Sequence, residues 1–334
     1  MDSASGGTVG APDEARGTDP ADSRTVELAA RVEKGDRRAV ARALSVVERA
    51  DTSSRALIAL LFPRTGRAHL VGVTGVGGVG KSSLIARLVT EWRRRGKRVG
   101  VVAVDPTSAA TGGALLGDRI RMEELLADPG VFVRSMATRG AGGGLARATI
   151  DATRVFDAAG YDVVVVETIG VGQDQLDVGQ VAETIVVVEA PNLGDDVQAL
   201  KAGLREIADV YAVNKADTGS TDRTVATLRA MLALEGDRDW NPPIVKTSAA
   251  TGEGIAELAD AAEVHLAWLA RSRRRAARRR ERARAELRRL LQEQLLRDLL
   301  GRVGDPDLTA ATTAVLGGTD PYRCASELLR RYHG

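Results

Sequence analysis

One nine-residue run limits what this chain can become. Gly75-Val76-Gly77-Gly78-Val79-Gly80-Lys81-Ser82-Ser83 follows an apolar β-type stretch, His69 to Thr74, and opens a helical pattern over 82–95. A glycine, four residues, a second glycine, then lysine and serine is the spacing of a loop that wraps phosphate groups. The glycines let successive backbone amides converge on phosphate oxygens, and the amino end of the following helix adds a favourable dipole. Lys81 is placed to reach the terminal phosphates, and the Ser82 hydroxyl to hold a magnesium ion that neutralises them. Gly75, Gly77, Gly78, Val79, Gly80, Lys81, Ser82 and Ser83 are therefore the candidate phosphate-binding residues. A tight turn alone would need neither the lysine nor the serine at that offset.

The same texture continues downstream. Further β-type runs lie at 99–104, 131–134, 162–167, 184–189, 210–214 and 244–246, with amphipathic segments at 146–159, 196–207, 221–234 and 254–269. Repeated β-α units predict an α/β fold of the P-loop NTPase class, a mostly parallel sheet flanked by helices on both faces. Ligands of such folds sit beyond the carboxyl ends of the strands. From Val26 the apolar spacing predicts two helices, the second capped by Asp36, and then a short apolar segment over 56–62 that ends at Pro63. After Leu269 a long helix to about Leu300, a Gly, Asp and Pro break and a short helix over 321–331 are expected.

Residues 1–24 are Gly, Ala, Ser, Asp and Pro with almost no large apolar side chain, too little to repay the entropy of ordering. The expected organisation is a disordered tail over 1–24, an N-terminal helical segment over 25–63, a P-loop domain over 64–269 and a C-terminal helical region over 270–334. Of the 334 residues 44% are apolar and 28% charged, as in a soluble globular protein, while aromatics at 3% leave aliphatic side chains to build the interior. No run approaches the roughly 18–20 apolar residues that span a bilayer. The first residues have neither the basic nor the apolar region of a secretory signal, so no membrane and a cytoplasmic location are expected. Cys324 is the single cysteine, and His69, His265 and His333 lack ligand spacing, which suits a reducing compartment and offers no zinc cluster.

A formal charge of only +2 hides an asymmetry, because residues 271–289 hold eleven arginines against Glu281 and Glu286. Without aromatics for stacking or a reading motif, this stretch reads first as the solvated face of a long helix. An acidic protein partner comes second and nucleic acid last.

Two later motifs concern the base. Asn214-Lys215-Ala216-Asp217 closes the run that begins at Val210, in the Asn-Lys-x-Asp pattern. A carboxylate such as Asp217 accepts from both N1 and the 2-amino group of guanine, a donor pair that adenine does not present, so GTP or GDP is favoured over ATP. Farther on, Ser248-Ala249-Ala250 follows the run over 244–246 and resembles the segment whose backbone meets guanine O6. Asn214, Lys215, Asp217, Ser248, Ala249 and Ala250 are the base-site candidates.

Acids at strand ends complete the set. Val163-Val164-Val165-Val166-Glu167 ends in an acid followed by Thr168, Ile169 and Gly170, where proteins with this loop place a carboxylate near magnesium. Gly170 offers an amide to a γ-phosphate. Asp105 ends the second strand, which is expected beside the phosphate-loop strand. Lys81, Asp105 and Glu167 are the catalytic candidates, and Ser82, Asp105 and Glu167 the candidates for Mg2+; Asp118 has a weaker intrinsic case.

Taken together with Val104-Asp105-Pro106-Thr107-Ser108, Thr111-Gly112-Gly113-Ala114-Leu115-Leu116-Gly117-Asp118-Arg119, Met136-Ala137-Thr138-Arg139-Gly140, Glu167-Thr168-Ile169-Gly170-Val171-Gly172-Gln173 and Asp320-Pro321-Tyr322, these words resemble the MeaB/ArgK family of GTPases. Members are chaperones of adenosylcobalamin-dependent acyl-CoA mutases. The resemblance runs from about residue 26 to the end. It implies that Ser82, Asp105, Asp118 and Glu167 form the magnesium environment, that the C-terminal helices build a homodimer, and that a slow GTPase cycle gates cofactor loading of a mutase, methylmalonyl-CoA mutase first among them. The alternatives are a P-loop kinase acting on a small molecule or protein, and a GTP-dependent switch with negligible turnover.

Overall fold

The computed structural model describes residues 22–105, 127–137, 147–168, 178–191, 206–219, 221–234 and 239–332, together with Leu125 and Gly236. The tail expected over 1–24 lies outside the described residues as far as residue 21. The helix expected over 196–207 lies outside them except at its last two residues. By compactness the chain divides into two units, Met1–Trp268 and Leu269–Gly334.

Seven strands make the sheet of the first unit: β1 (His69–Thr74), β2 (Val99–Asp105), β3 (Val131–Ala137), β4 (Val163–Glu167), β5 (Thr184–Glu189), β6 (Val210–Val213) and β7 (Ile244–Lys246). Their order is β3-β2-β4-β1-β5-β6-β7, and every pairing is parallel. Parallel strands bury both faces, which explains why β4 is an unbroken valine run ending in an acid rather than an alternation. Its successive side chains still part by face. Val164 and Val166 enter one core with Phe156 and Leu44. Val163 and Val165 enter the other with Leu88 and Trp92.

Helices cover both faces. On one lie α4 (Lys81–Arg94) and α7 (Ile255–Arg271), which bury Leu84, Ile85, Leu88, Leu258 and Ala262. On the other, α5 (Arg147–Ala158) packs with α1 (Ser23–Glu33), α2 (Arg37–Arg49) and α3 (Thr52–Leu61), while α6 (Thr221–Leu234) covers Tyr211 and Val213. Among the described residues three helices therefore precede the sheet, where the apolar spacing predicts two and a short segment. The difference is a cap. Asp51 accepts from the Ser54 amide at 3.0 Å and starts α3 four residues before its apolar stretch. Asp22 and Asp36 cap α1 and α2 in the same way, Asp36 as expected.

At the amino edge of the sheet, tertiary structure assembles a buried polar chain from residues far apart in sequence. His69 Nε2 lies 2.8 Å from Thr184 Oγ1, which lies 2.9 Å from His265 Nδ1, and His265 Nε2 is 3.2 Å from Asp209 Oδ1. Trp240 and Trp268 pack on the His265 ring.

The second unit contains α8 (Arg274–Leu316) and α9 (Pro321–Tyr332). The break expected near Leu300 shrinks to one residue, Gly304, at φ 66° and ψ 160°. The helix resumes directly because Pro306 falls in its first turn, where a missing N–H costs nothing. Asp307 holds α9 through Arg331, at 2.9 Å, and through the Tyr332 hydroxyl.

The carboxyl end of α4 is locked by charge. Arg94 and Arg95 both bond Glu91 at 2.8 Å, Arg95 reaches Asp260 on α7 at 2.6 Å, and Lys97 reaches Glu263 at 2.8 Å. Hydrogen bonds first from Arg94 and also from Arg95 hold the Glu91 carboxyl at about 2, below its ordinary 4.5. Since the folded value is the lower, this stabilisation is complete above about pH 4.5 and lost as pH falls toward about 2. Glu91→Gln should therefore melt below the parent at pH 7, with the gap closing on acidification; thermal melts across that range read it out.

Candidate functional site

The site is built at the carboxyl edge of the sheet, where β1 runs into the phosphate loop and α4. Two of the loop glycines are demanded by close approach. A Cβ on Gly75, at φ 143°, would stand 2.2 Å from the Val188 carbonyl oxygen on the neighbouring strand. One on Gly80, at φ 90°, would stand 2.6 Å from Asn214 Nδ2. Lys81 opens α4, and its buried ammonium donates to the Gly75 carbonyl at 2.9 Å and the Val76 carbonyl at 3.1 Å, so its charge lies over the loop. Ser82 and Ser83 continue the first turn.

β4 pairs directly with β1, setting Glu167 level with Val73. Ser82 Oγ donates to Glu167 Oε1 at 2.6 Å, and both side chains are buried. Thr168 Oγ1 donates to Thr74 Oγ1 at 2.9 Å and ties the two strand ends together. The adjacency expected for Asp105 does not hold. β4 stands between β2 and β1, because β4 takes the place beside β1 on that side. Ala103 is level with Glu167, so the backbone of Asp105 ends β2 two residues beyond it at the same edge. Asp118 and Gly170 lie outside the described residues. Among the described residues no three His, Cys, Asp or Glu side chains gather into a metal-binding group.

On the other side of β1, the pairing of β5, β6 and β7 brings the two base-motif loops side by side. Asn214 is buried and faces the phosphate loop, with Nδ2 donating to the Val79 carbonyl at 2.8 Å and Oδ1 accepting from the Ala249 amide at 3.1 Å. Lys215 takes a left-handed conformation, φ 64°, which turns the chain into a short helical turn over Ala216–Thr218. The exposed Asp217 accepts at Oδ1 from Ser248 Oγ at 2.6 Å, and Ser248 Oγ accepts from the Thr251 amide at 3.1 Å. Phosphate loop, Ser82–Glu167 pair and both base-motif loops thus meet along one edge.

Three connecting residues were not singled out by sequence reasoning: Thr74, Thr168 and Arg87. Arg87 donates from α4 to the carbonyls of Ala249 and Ala250. It sits on the exposed face of an amphipathic helix, where the sequence pattern is that of any solvated arginine.

This sheet and loop define the P-loop NTPase fold. A solved structure titled LAO/AO transport system kinase superposes with a TM-score of 0.71 at 26% identity, over 94% of this chain and 99% of that one. A protein of Pyrococcus abyssi named as a GTPase is 45% identical over 92% of this chain and 97% of its own length. The mouse protein named methylmalonic aciduria type A homolog, mitochondrial, is 33% identical over 79% of this chain and 68% of its own. The family described as methylmalonyl Co-A mutase-associated GTPase MeaB matches residues 40–303. The chain belongs to the MeaB family, a family of P-loop GTPases.

Asn214→Ala would leave the Val79 carbonyl and the Ala249 amide without their bonds in a buried place. A loss of about 2–3 kcal/mol of stability is expected, measured by urea unfolding.

Proposed function

We propose that this chain binds and hydrolyses GTP with Mg2+, releasing GDP and phosphate, and that its cycle serves as a chaperone for an adenosylcobalamin-dependent acyl-CoA mutase. The observation that carries the nucleotide part is the single edge on which Lys81, the Ser82–Glu167 pair, Asn214 and Asp217 converge.

In this reading the amides from Gly77 to Ser83, with Gly75 shaping the turn, cradle the phosphates, and the Lys81 ammonium stabilises the charge that grows on the transferring group. A water molecule attacks in line. The residues fit magnesium: Ser82 Oγ donates a hydrogen bond to Glu167 Oε1, which leaves its lone pairs available, and both are hard oxygen ligands beside the loop. Ser82 and Glu167 would hold the ion, with Asp105 and Asp118 completing its surroundings and Gly170 meeting the γ-phosphate. When bound, the ion supplies neutralisation of phosphate charge. Asp217 reads N1 and the 2-amino group of guanine, flanked by Lys215, and the Ser248-Ala249-Ala250 backbone reads O6.

The partner is supported by the family description, which names methylmalonyl-CoA mutase association. The gating of cofactor loading, and the protection or reactivation of the mutase, belong to the same reading, as does a cytoplasmic location. A homodimer through the C-terminal helices is supported by exposed Leu287, Leu291 and Leu295, which repeat every four residues along α8. No nucleic acid or membrane is required, and among the described residues no helix is long and apolar enough to cross one.

Phosphate release from GTP and from ATP, with and without an adenosylcobalamin-dependent acyl-CoA mutase, tests the whole. GTP-selective turnover that rises with the mutase is the expected result. Transfer to an acceptor without free phosphate would instead mark a kinase, and negligible turnover with the mutase present would mark a pure switch. Lys81→Ala should abolish hydrolysis with the fold retained by circular dichroism. Asp217→Asn should weaken GTP and admit xanthosine triphosphate, as competition binding would show.

A further inference from the structure

Three arginines stand on α4 and a fourth, Arg95, follows it directly; three of these four are used for charge. Arg93 pairs with Asp128, and Arg94 and Arg95 pair with Glu91. Arg87 is used differently. Its Nε donates to the Ala249 carbonyl at 2.9 Å, and its Nη2 to the Ala250 carbonyl at 3.0 Å. A planar fork thereby spans two consecutive carbonyls of the loop after β7, a geometry that a lysine ammonium cannot reproduce.

Those two bonds orient more than the carbonyls. In a planar trans peptide the C=O of one residue and the N–H of the next point opposite ways. Holding the Ala249 carbonyl toward α4 therefore aims the Ala250 amide away from it. Holding the Ala250 carbonyl fixes the Thr251 amide, which donates to Ser248 Oγ at 3.1 Å, and that hydroxyl donates to Asp217 Oδ1 at 2.6 Å. From the opposite side Asn214 Oδ1 accepts from the Ala249 amide at 3.1 Å. The segment from Ser248 to Thr251 is thus gripped between a strand-end asparagine and a helix-borne arginine.

The helix that supplies this arginine also opens with Lys81 and Ser82. Its second turn holds the base-motif loop while its first turn faces the phosphate loop. Arg87 is exposed, between the buried Ile85 and Leu88, so its substitution leaves the core intact.

We infer that Arg87 is a positioning residue for base selectivity, which holds the Ala249 and Ala250 peptides, and through Ser248 the Asp217 carboxylate, in the orientation that distinguishes a guanine from an adenine nucleotide. The inference rests on the base-site reading proposed above. Arg87 acts through the loop and touches no reacting atom. Its effect belongs in nucleotide affinity and not in the chemical step.

The test compares the full-length protein with Arg87→Ala, Arg87→Lys and Asp217→Ala, by calorimetric titration with GDP and ADP, GTP turnover and thermal melting. Arg87→Ala should weaken GDP and raise KM for GTP by about 5- to 20-fold, as expected for losing a charge-assisted pair of hydrogen bonds, with kcat within about twofold. ADP affinity should hold, so the preference for GDP over ADP falls by the same factor, and the melting temperature should stay close to the parent's. Arg87→Lys should recover only part of the preference. An unchanged preference in Arg87→Ala beside a collapsed one in Asp217→Ala would overturn the role of Arg87 and leave the base site standing. Equal weakening of GDP and ADP would make Arg87 a general strut and overturn it too. An unchanged preference in both alanine variants would overturn the base-site reading and this inference with it.

Discussion

β1 is paired on both sides by strands that come later in the chain, β4 on one flank and β5 on the other. Everything at the site depends on that position. A parallel strand needs a crossover before its neighbour can form; the chain passes from β1 to β2 on one side and later from β4 to β5 on the other, and that reversal opens a crevice at the carboxyl end of β1. The phosphate loop fills that crevice, Glu167 reaches Ser82 from the β4 side, and Asn214 reaches Val79 from the β6 side.

The hydrogen bonds around the loop run between elements and seldom within one. Asn214 joins β6 to the phosphate loop and to the loop after β7. Ser248 joins the loop after β7 to Asp217, and Arg87 joins that loop to α4. The phosphate loop and the two base-motif loops therefore share a frame of a few short bonds. The charged lock of Arg95 onto α7 holds the far end of the same helix. α4 is thereby fixed at its start by the loop, in its second turn by Arg87 and at its end by ion pairs.

Much of this was legible because local rules and long-range packing agree. The valine run before Glu167 reads as a buried parallel strand, and the lysine and serine after Gly80 have no purpose in a plain turn. Legibility stopped where neighbours had to be known. Asp105 was expected beside the phosphate-loop strand, yet strand order is a property of crossovers, and β4 intervenes. The start of α3 is not legible in the apolar spacing because its cap, Asp51, lies before a polar first turn of Thr52, Ser53 and Ser54. The break in α8 is shorter than Gly304 and Pro306 suggest, because the proline lies in a first turn.

By itself the sequence determined the loop that turns on glycine, the alternation of strand and helix, and which residues carry charge at the strand ends, since these follow from backbone freedom, side-chain period and the chemistry of each residue. Tertiary structure alone decided which ends meet. His69 joins Thr184, His265 and Asp209 at one edge of the sheet, and Arg87 joins Ala249 at the other, across separations no local pattern encodes. The reason is physical: a hydrogen bond or ion pair is made by distance in space, and strand order, set by the burial of both sheet faces, is what converts distance along the chain into that contact.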